Sequence, residues 1–303
     1  MNVGLSGASG LIGSALVRSL GAEGHRCRRL VRRTPSDPAE LEWRPERGLV
    51  ESPVAEGLDA LIHLAGENVA AGRWTAARKR RIRSSRGPAT RRLVESLASL
   101  ERPPGVFVCA SAVGYYGDRG GEVLDEDSPP GKGFLAAVCR DWEVAALRAS
   151  ATCERVVMLR FGVVLSARGG ALARMLPPFR LGLGGRLGSG RQYFPWIHID
   201  DAVAAIRHVM KRNFRGAVNL AAPEQVTNAG LTWSLARALR RRAPVPVPSL
   251  ALRGAFGEMA KETLLASARV VPRVLQETGF EYRFPKLEAA LARELSPDTP
   301  ART

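Results

Sequence analysis

Short apolar runs alternate with longer amphipathic stretches along the first 221 residues of the chain. The apolar runs are typical of strands buried on both faces and lie at 2–6, 26–31, 59–65, 105–111, 155–161 and 216–221. The amphipathic stretches have helical periodicity and lie at 11–23, 76–100, 134–149 and 200–212. Because strands that alternate with helices form βαβ units with right-handed crossovers, we predict an α/β fold with a doubly wound parallel sheet.

The alternating pattern stops after residue 165. Residues 166–195 are rich in glycine and arginine, and they predict a long loop whose glycine cluster is typical of a mobile lid. A strand and helix pattern returns over 196–221, and the tail has a proline-containing connector followed by short helical patterns. We predict one domain over 1–165, joined by 196–221, and a smaller C-terminal substrate lobe made of 166–195 and 222–303.

A glycine-rich turn connects the first apolar run to the first helical pattern, and it reads Gly7-Ala8-Ser9-Gly10-Leu11-Ile12-Gly13. Glycines at these places permit a tight turn, a close approach of backbone N–H groups to a pyrophosphate, and close packing of the helix on the strand. The helix N-terminus then presents unpaired donors and the positive end of its dipole to the phosphates. We predict a Rossmann-type dinucleotide site. The alternative is a glycine turn without a ligand.

The end of the second predicted strand selects the dinucleotide. An Asp or Glu roughly 20 residues past the glycines would bind the ribose 2′-hydroxyl of NAD. The strand instead ends in Arg32-Arg33 with no acidic residue beside them, and a guanidinium binds phosphate through a rigid fork of donors. We therefore predict NADP as the cofactor. The alternative, in so arginine-rich a chain, is that both are solvated loop arginines.

Composition and charge limit the partners. The formal net charge is +16, yet only five of the 45 basic residues are lysines, a skew typical of a GC-rich coding sequence rather than of a selected binding face. The densest basic stretch, 73–92, has helical character, and no RNA-binding aromatic motif accompanies it. No apolar run approaches the roughly 18 residues of a membrane span. We expect a small-molecule substrate, no specific nucleic acid and no membrane partner.

Cysteine usage and the N-terminus indicate the compartment. The four cysteines are widely spaced, show no metal-ligand spacing and are typical of core thiols. The N-terminus leads directly into a predicted strand, so we expect no signal peptide. We therefore expect a cytoplasmic protein without a metal site.

Candidate catalytic side chains follow the fourth apolar run. Ser111 stands at the end of that run, and Tyr115 and Tyr116 come directly after it. At the carboxyl end of a parallel strand, a serine hydroxyl can hold a substrate oxygen, and a phenol can donate or accept a proton. We predict these three as catalytic residues. The alternative is a turn serine beside two packed aromatic rings.

These segments together resemble the extended short-chain dehydrogenase/reductase superfamily, which includes the nucleotide-sugar epimerases and dehydratases, over nearly the whole chain. The resemblance narrows to an epimerase-like subgroup with a small C-terminal domain of unknown function. The segments that carry it are 64–68, 125–129, 160–165, 178–185 and, most specifically, Phe194-Pro195-Trp196-Ile197-His198-Ile199-Asp200-Asp201. The resemblance implies an NADP-binding protein whose substrate is not settled. Plastid and cyanobacterial relatives are linked to cell division.

The motif and the resemblance together assign a cofactor site. Its members are Gly7, Ser9, Gly10, Leu11, Ile12 and Gly13 for the phosphates, Arg32 and Arg33 for the 2′-phosphate, Leu64, Ala65, Gly66 and Glu67 for the adenosine and its ribose, Arg86 for a further cofactor contact, and Gly162, Val163 and Val164 beside the nicotinamide.

One departure from the superfamily concerns its catalytic pair, Tyr-x-x-x-Lys. The expected place is the start of the 134–149 helical pattern, where this chain has Phe134 and Val138. Neither side chain transfers a proton. The only literal match, Tyr282 to Lys286, lies in the tail, where Pro285 disfavours a helix, so we interpret it as a coincidence.

Trp196 and His198 are predicted to face the substrate. A histidine in a cleft titrates near neutrality; the alternative for His198 is a hydrogen-bonded structural residue beside a helix that Asp200 caps. We predict an NADP(H)-binding oxidoreductase or epimerase-like enzyme of the extended short-chain type. The alternative, which the missing pair favours, is a catalytically idle dinucleotide-binding protein that acts as a redox sensor or a cell-division-linked scaffold.

Overall fold

An eight-stranded sheet forms the centre of the computed structural model, which describes residues 1–49 and 55–296. In spatial order the strands are β12 (Gly216–Leu220), β8 (Arg155–Phe161), β6 (Val106–Ala112), β5 (Ala60–His63), β1 (Asn2–Ser6), β2 (Arg26–Val31), β3 (Glu40–Arg44) and β4 (Gly48–Leu49). Neighbouring strands are parallel except β3 and β4. The chain leaves β1 for β2 on one side and returns to β5 on the other. The carboxyl ends of β1 and β5 therefore form the switch point at which such sheets bind ligands.

Ten α-helices are described within the same residues. They are α1 (Leu11–Ala22), α2 (Ala76–Ser84), α3 (Gly87–Leu97), α4 (Phe134–Leu147), α5 (Gly170–Arg180), α6 (Ile199–Lys211), α7 (Asn228–Ala238), α8 (Ser249–Phe256), α9 (Arg273–Glu277) and α10 (Leu287–Leu295). α1 packs against α6, and α3 packs against α4. The sheet is therefore doubly wound, as the alternating pattern predicts, with all six predicted strands in place.

The predicted helix over 76–100 is two helices. α2 ends at Ser84, and α3 begins at Gly87 with a proline in its first turn. A proline has no N–H to continue the preceding helix, but its fixed φ suits a new first turn. Arg86 lies at the break and donates to the Glu67 carbonyl of the loop after β5.

Three two-stranded pairs lie outside the main sheet. They are β7 (Val123–Leu124) with β14 (Arg269–Val270), β9 (Val163–Ser166) with β11 (Trp196–His198), and β10 (Tyr193–Phe194) with β13 (Val226–Thr227). Each pair joins segments far apart in the sequence. The pairs therefore hold the tail and the middle of the chain against the carboxyl edge of the main sheet.

The prediction of one long loop over 166–195 is wrong in its first half. α5 occupies Gly170–Arg180, although it carries glycine at its start and two prolines near its end. Leu172, Leu176 and Phe179 follow helical spacing, and all three are buried in a second core. Burial of this stripe in the second core, where α5 packs on β9, stabilises the helix despite its weak local propensity.

The glycines between 182 and 190 serve close packing at two positions. A Cβ on Gly185 would lie 1.7 Å from the Val245 carbonyl oxygen, and one on Gly184 would lie 2.6 Å from the ring of Phe179. The N–H of Gly188 donates to the Val247 carbonyl at 2.8 Å. The extended proline-containing connector thus runs against this segment, which explains the glycines there without invoking a lid.

The second core contains Leu165, Leu172, Leu176, Phe179, Trp196, Ala222, Leu231, Leu235, Ala236, Phe284, Leu287, Ala290 and Leu291. Most of these residues come from the segments assigned to the smaller lobe, but Leu165 and Trp196 come from those assigned to the first domain. The cluster therefore does not decide the domain boundaries, which stay a prediction. Within 1–49 and 55–296, no helix is long and apolar enough to cross a membrane.

His63 lies at the end of β5 with no exposed surface. Its Nδ1 is 2.6 Å from the Ser6 hydroxyl, and its ring meets the Trp43 ring edge-on at 5.3 Å. Burial lowers the pKa of His63 from 6.5 to about 3. Between those values the unfolded chain binds a proton that the folded chain does not, so this histidine destabilises the fold as the pH falls below about 6.5.

We expect His63→Gln to reduce the loss of stability on acidification. A group with this shift contributes about 1.4 kcal/mol per pH unit, or about 2 kcal/mol between pH 6.5 and 5. Urea unfolding of both proteins at pH 7.5 and pH 5 measures the difference. The same decline in both proteins would show that His63 is not the titrating group.

Candidate functional site

The glycine turn after β1 is held tightly at its two ends. Gly7 has φ +73°, and a Cβ there would lie 2.9 Å from the Leu64 carbonyl carbon. A Cβ on Gly13 would lie 2.1 Å from the Gly7 carbonyl oxygen. Because L residues are strained at positive φ and neither position has space, only glycine fits. This geometry explains the first and last glycines of the predicted motif.

The middle of the turn is open. A Cβ on Gly10 would meet only the Gly7 carbonyl oxygen, at 3.3 Å, and both Ser9 and Gly10 are exposed. Gly10 is the N-cap of α1, and no side chain caps this helix. The first N–H groups of α1, from Leu11 and Ile12, therefore face open space at the positive end of the helix dipole. An anion the size of a phosphate fits this position.

The two arginines after β2 have different surroundings. Arg33 is bound to Glu40 at 2.8 Å and also donates to the Ser36 hydroxyl at 2.8 Å. Glu40 is buried and accepts the Ser36 N–H as well, at 3.0 Å. Arg32 is exposed and has no partner among the described residues. The structure thus leaves Arg32 free for a ligand, while Arg33 closes the loop between β2 and β3.

The loop after β5 lies across the switch point from the glycine turn. Leu64 and Ala65 contact Gly7, and the Ala65 N–H is 3.3 Å from the Ser6 hydroxyl. The Glu67 carboxylate lies 3.4 Å from Arg78 of α2. This loop, with Gly66 between those residues, therefore forms one wall of the candidate site.

Arg86 holds the loop after β5 by hydrogen bonds. It donates to the carbonyl oxygens of Glu67 at 3.0 Å and Ile82 at 3.1 Å, and its guanidinium carbon lies 4.9 Å from the centre of the Trp142 ring. Burial lowers the pKa of Arg86. Its predicted contact with a cofactor stays a prediction, because its donors already hold protein groups.

Ser111 belongs to a buried polar network. Its hydroxyl donates to Glu143 of α4 at 2.6 Å. Arg160 donates to the two carboxylate oxygens of Glu143 from Nε and Nη2, each at 2.9 Å. The Arg160 and Glu143 side chains are 5% and 8% exposed. Burial opposes the charge on Arg160, but the bonds to Glu143 raise its pKa overall. The network therefore holds a buried ion pair near the carboxyl ends of β6 and β8.

The two predicted catalytic tyrosines lie in different environments. The Tyr116 hydroxyl is within hydrogen-bond distance of the Asp125 carbonyl oxygen, Asn219 Oδ1 and Arg160, and the residue has no exposed surface. Burial raises the pKa of Tyr116 to about 12. Tyr115 is half-buried, and the Arg160 guanidinium carbon lies 3.6 Å from its ring centre. The geometry favours Tyr115 over Tyr116 as a group that reaches a substrate.

The place of the missing catalytic pair is filled by apolar side chains. Phe134 and Val138 are buried together with Ile82, and the Lys79 ammonium lies 4.5 Å from the Phe134 ring centre. Glu262, from the tail, accepts the N–H groups of Phe134 at 2.8 Å and Leu135 at 2.7 Å. A carboxylate of the tail thus caps the N-terminus of α4.

Trp196 and His198 are each 1% exposed. The Trp196 indole N–H donates to the Glu224 carbonyl at 3.1 Å, and His198 Nε2 lies 3.1 Å from Glu294. His198 itself caps α6 by accepting the Asp200 N–H, so the predicted cap at Asp200 is wrong. The substrate role of both residues stays a prediction, and the geometry favours the structural alternative for His198.

The segment Gly162 to Val164 leaves the end of β8 toward β11. The N–H of Gly162 donates to the Leu220 carbonyl at 2.9 Å, and that of Val163 donates to the Pro195 carbonyl at 2.8 Å. A Cβ on Gly162 would lie 3.0 Å from the Pro195 oxygen, so the close approach favours glycine. The segment lies at the same carboxyl edge of the sheet as Ser111. Its place beside the nicotinamide stays a prediction.

Sequence reasoning missed three residues that shape this site: Glu143, Arg160 and Glu262. Glu143 carries a signal, because it falls on the apolar face of the α4 pattern, where a carboxylate needs a partner. Arg160 likewise lies inside an apolar strand. Glu262 has no comparable signal, since the tail segment that carries it is far from α4 in the sequence.

Comparison with protein families matches two segments of the chain. Residues 3–230 match the NAD dependent epimerase/dehydratase family, and residues 247–294 match a domain of unknown function, DUF1731. The chain belongs to the NAD dependent epimerase/dehydratase family. The resemblance to extended short-chain dehydrogenases with a small C-terminal domain is thereby confirmed.

Relatives of this family are similar over nearly the whole chain. An epimerase family protein of Mycobacterium bovis is 44% identical over 95% of this chain and 96% of its own length. The crystal structure of human epimerase family protein SDR39U1 with NADPH has a TM-score of 0.87 and 37% identity, covering 97% and 98% of the two chains. A nucleoside-diphosphate sugar epimerase structure from Corynebacterium glutamicum has a TM-score of 0.78 and 38% identity, and it is matched over 58% of its own length. The Rossmann-type fold is therefore confirmed.

We expect Glu143→Gln to destabilise this epimerase-family protein by about 3–5 kcal/mol, because it leaves the buried Arg160 charge unpaired. A matched control is Glu258→Gln, which breaks the ion pair with Lys79 at 2.8 Å on a half-exposed surface and should cost less than about 1 kcal/mol. Urea unfolding measures both. Equal losses of unfolding free energy in the two variants would show that the buried ion pair contributes no more to stability than the surface pair.

Proposed function

We propose that the chain is an NADP(H)-dependent oxidoreductase or epimerase-like enzyme that acts on a small-molecule substrate. The observation that carries the proposal is the open, uncapped N-terminus of α1 at Gly10, set between two glycines that admit no side chain. The human relative crystallised with NADPH supports the same cofactor. The free Arg32 at the end of β2 supports the phosphorylated dinucleotide over NAD.

The residues of the switch point fit such a cofactor. The N–H groups of Leu11 and Ile12 would hold the pyrophosphate in the space above Gly10. A Cβ at position 10 would enter that space, and glycine leaves it open. Arg32 would bind the 2′-phosphate, and the loop from Leu64 to Glu67 would cover the adenosine ribose. When bound, the nicotinamide supplies hydride transfer.

Ser111 is proposed to orient the substrate oxygen. The residue is 3% exposed and its hydroxyl donates its hydrogen to Glu143, so Ser111 would act toward a substrate hydroxyl as a hydrogen-bond acceptor. Tyr115 is proposed to exchange the proton with that oxygen, because its ring lies against Arg160, the cross-strand neighbour of Ser111, and its phenol is not enclosed in the network. Arg160, which lies over the Tyr115 ring, holds that side chain in place.

A second candidate function rests on the apolar side chains and the capping carboxylate at the start of α4. Phe134 and Val138 replace the proton-transferring pair, and Glu262 caps the helix there. A protein with an intact cofactor turn and this replacement would bind the dinucleotide as a redox sensor or scaffold without turning over a substrate. The two candidates differ in turnover and agree on cofactor binding.

We expect the protein to bind NADPH more tightly than NADH, and Arg32→Ala to remove that preference. Loss of one charged phosphate contact should cost about 1.5–3 kcal/mol for NADPH and nothing for NADH. Fluorescence titration of both dinucleotides measures this. Arg18→Ala, an exposed arginine of α1, is the control of equal charge. Equal affinities in the wild type, or the same NADPH loss in the control, would contradict the assignment.

We expect any turnover to depend on Ser111 and Tyr115. Sugar nucleotides, quinones and small carbonyl compounds are to be screened for NADPH oxidation, and Ser111→Ala and Tyr115→Phe compared on the first substrate found. Each change should lower kcat about 100-fold or more, the usual contribution of a positioned acid or base, while Ser150→Ala on the exposed surface leaves it unchanged. Full activity in both variants would exclude this site. Tight NADPH binding without turnover of any compound would favour the sensor.

A further inference from the structure

Acidic residues are absent from two long stretches of the chain. Between 155 and 199 and between 225 and 257 there is no Asp or Glu, although the whole chain has 29, and the two stretches contain twelve arginines. A GC-rich coding sequence accounts for arginine in place of lysine. It does not account for the loss of every carboxylate. Arg160 is buried against Glu143 and Arg237 pairs with Glu288, so the question is where the other arginines of these stretches lie.

The fold brings the two acid-free stretches together. The Val245 N–H donates to the Gly184 carbonyl at 3.4 Å, and the Gly188 N–H donates to the Val247 carbonyl at 2.8 Å. At the neighbouring helix ends, Arg241 Nε donates to the Arg180 carbonyl at 3.1 Å. The end of α5, the end of α7 and the connector after α7 therefore form one continuous surface.

This surface combines exposed arginines that have no carboxylate partner among the described residues with exposed leucine side chains. Leu181 and Leu183 are 74% and 60% exposed, and they flank Gly182, around whose Cβ position there is open space. The exposed guanidinium groups beside them have no carboxylate partner among the described residues. We call this surface the arginine–leucine face; it consists of Arg180, Leu181, Leu183, Arg240, Arg241 and Arg242.

We propose that the arginine–leucine face docks on the surface of an anionic lipid bilayer. Arginine and exposed leucine together match the boundary between anionic headgroups and acyl chains, where the guanidinium meets phosphate and the leucine enters the apolar layer. A second copy of this chain carries the same charge on the same face, so like charges oppose self-association there. Nucleic acid satisfies the arginines but leaves both leucines in water.

This proposal is independent of the proposed enzyme function. It also differs from insertion of a helix, since the face is formed by a helix end, a turn and a loop. The expectation of no membrane partner rested on the missing span, and it does not cover peripheral binding of this kind. The bilayer would lie on the side of the second core, to which α5 and α7 contribute.

The test is sedimentation of the full chain with vesicles of phosphatidylcholine alone or with one-third phosphatidylglycerol, at about 0.1 M salt. We expect binding to the anionic vesicles only. Arg240→Gln together with Arg242→Gln should weaken it roughly 30-fold, at about 1 kcal/mol for each cation near the surface. Leu181→Ser together with Leu183→Ser should weaken the binding that persists at high salt.

The matched control is Arg91→Gln together with Arg92→Gln, which removes the same charge from the exposed side of α3. It should weaken vesicle binding less than threefold. Unchanged unfolding midpoints in all variants show that the fold is intact. An equal loss in the control, equal binding to neutral vesicles, or binding to soluble polyglutamate but not to vesicles would each overturn the proposal. The last result would identify an acidic protein as the partner.

Discussion

The buried ion pair between Arg160 and Glu143 is the constraint on which the candidate catalytic region depends. Two charges with almost no exposure are tolerated because each has several partners: Glu143 also accepts the Ser111 hydroxyl, and Arg160 also donates to Tyr116 and the Glu126 carbonyl. The pair joins α4 to β8 and sets the orientation of Ser111 on β6. Any change in it therefore moves the residues proposed for substrate binding.

The same network ties the tail to the sheet. Glu126 accepts the N–H groups of Asn219 in β12 and Val274 in α9, and Asn219 donates to the Val271 carbonyl. Farther along, Glu262 caps α4 and Glu258 pairs with Lys79 of α2. The DUF1731 segment thus contacts α2 and α4, and it does so at the place where Phe134 and Val138 stand in place of the superfamily's Tyr-x-x-x-Lys pair.

The cofactor half of the site was predictable because its physics is local. Gly7 and Gly13 are required by a positive φ and by contacts within a few residues or across one neighbouring loop, and the motif spacing reports those requirements directly. The substrate half was not predictable in the same way. Ser111, Tyr115 and Tyr116 were adjacent candidates, and only the partners of each hydroxyl and the burial of Tyr116 separate them.

The sequence by itself determined six strands of the main sheet, their alternation with helices and the place of the glycine turn, because hydrophobic period and glycine position depend on neighbours in the chain. It did not predict β3 and β4, nor the break between α2 and α3. It missed α5, whose buried stripe is hidden between glycines and prolines and is stabilised by β9 and the rest of the second core. Tertiary structure alone decided that Arg33 binds Glu40 while Arg32 stays free, and that Trp196 and His198 are enclosed. These outcomes depend on contacts between distant segments, because the partners and the burial of a charged group or an aromatic ring are set by residues far away in the sequence.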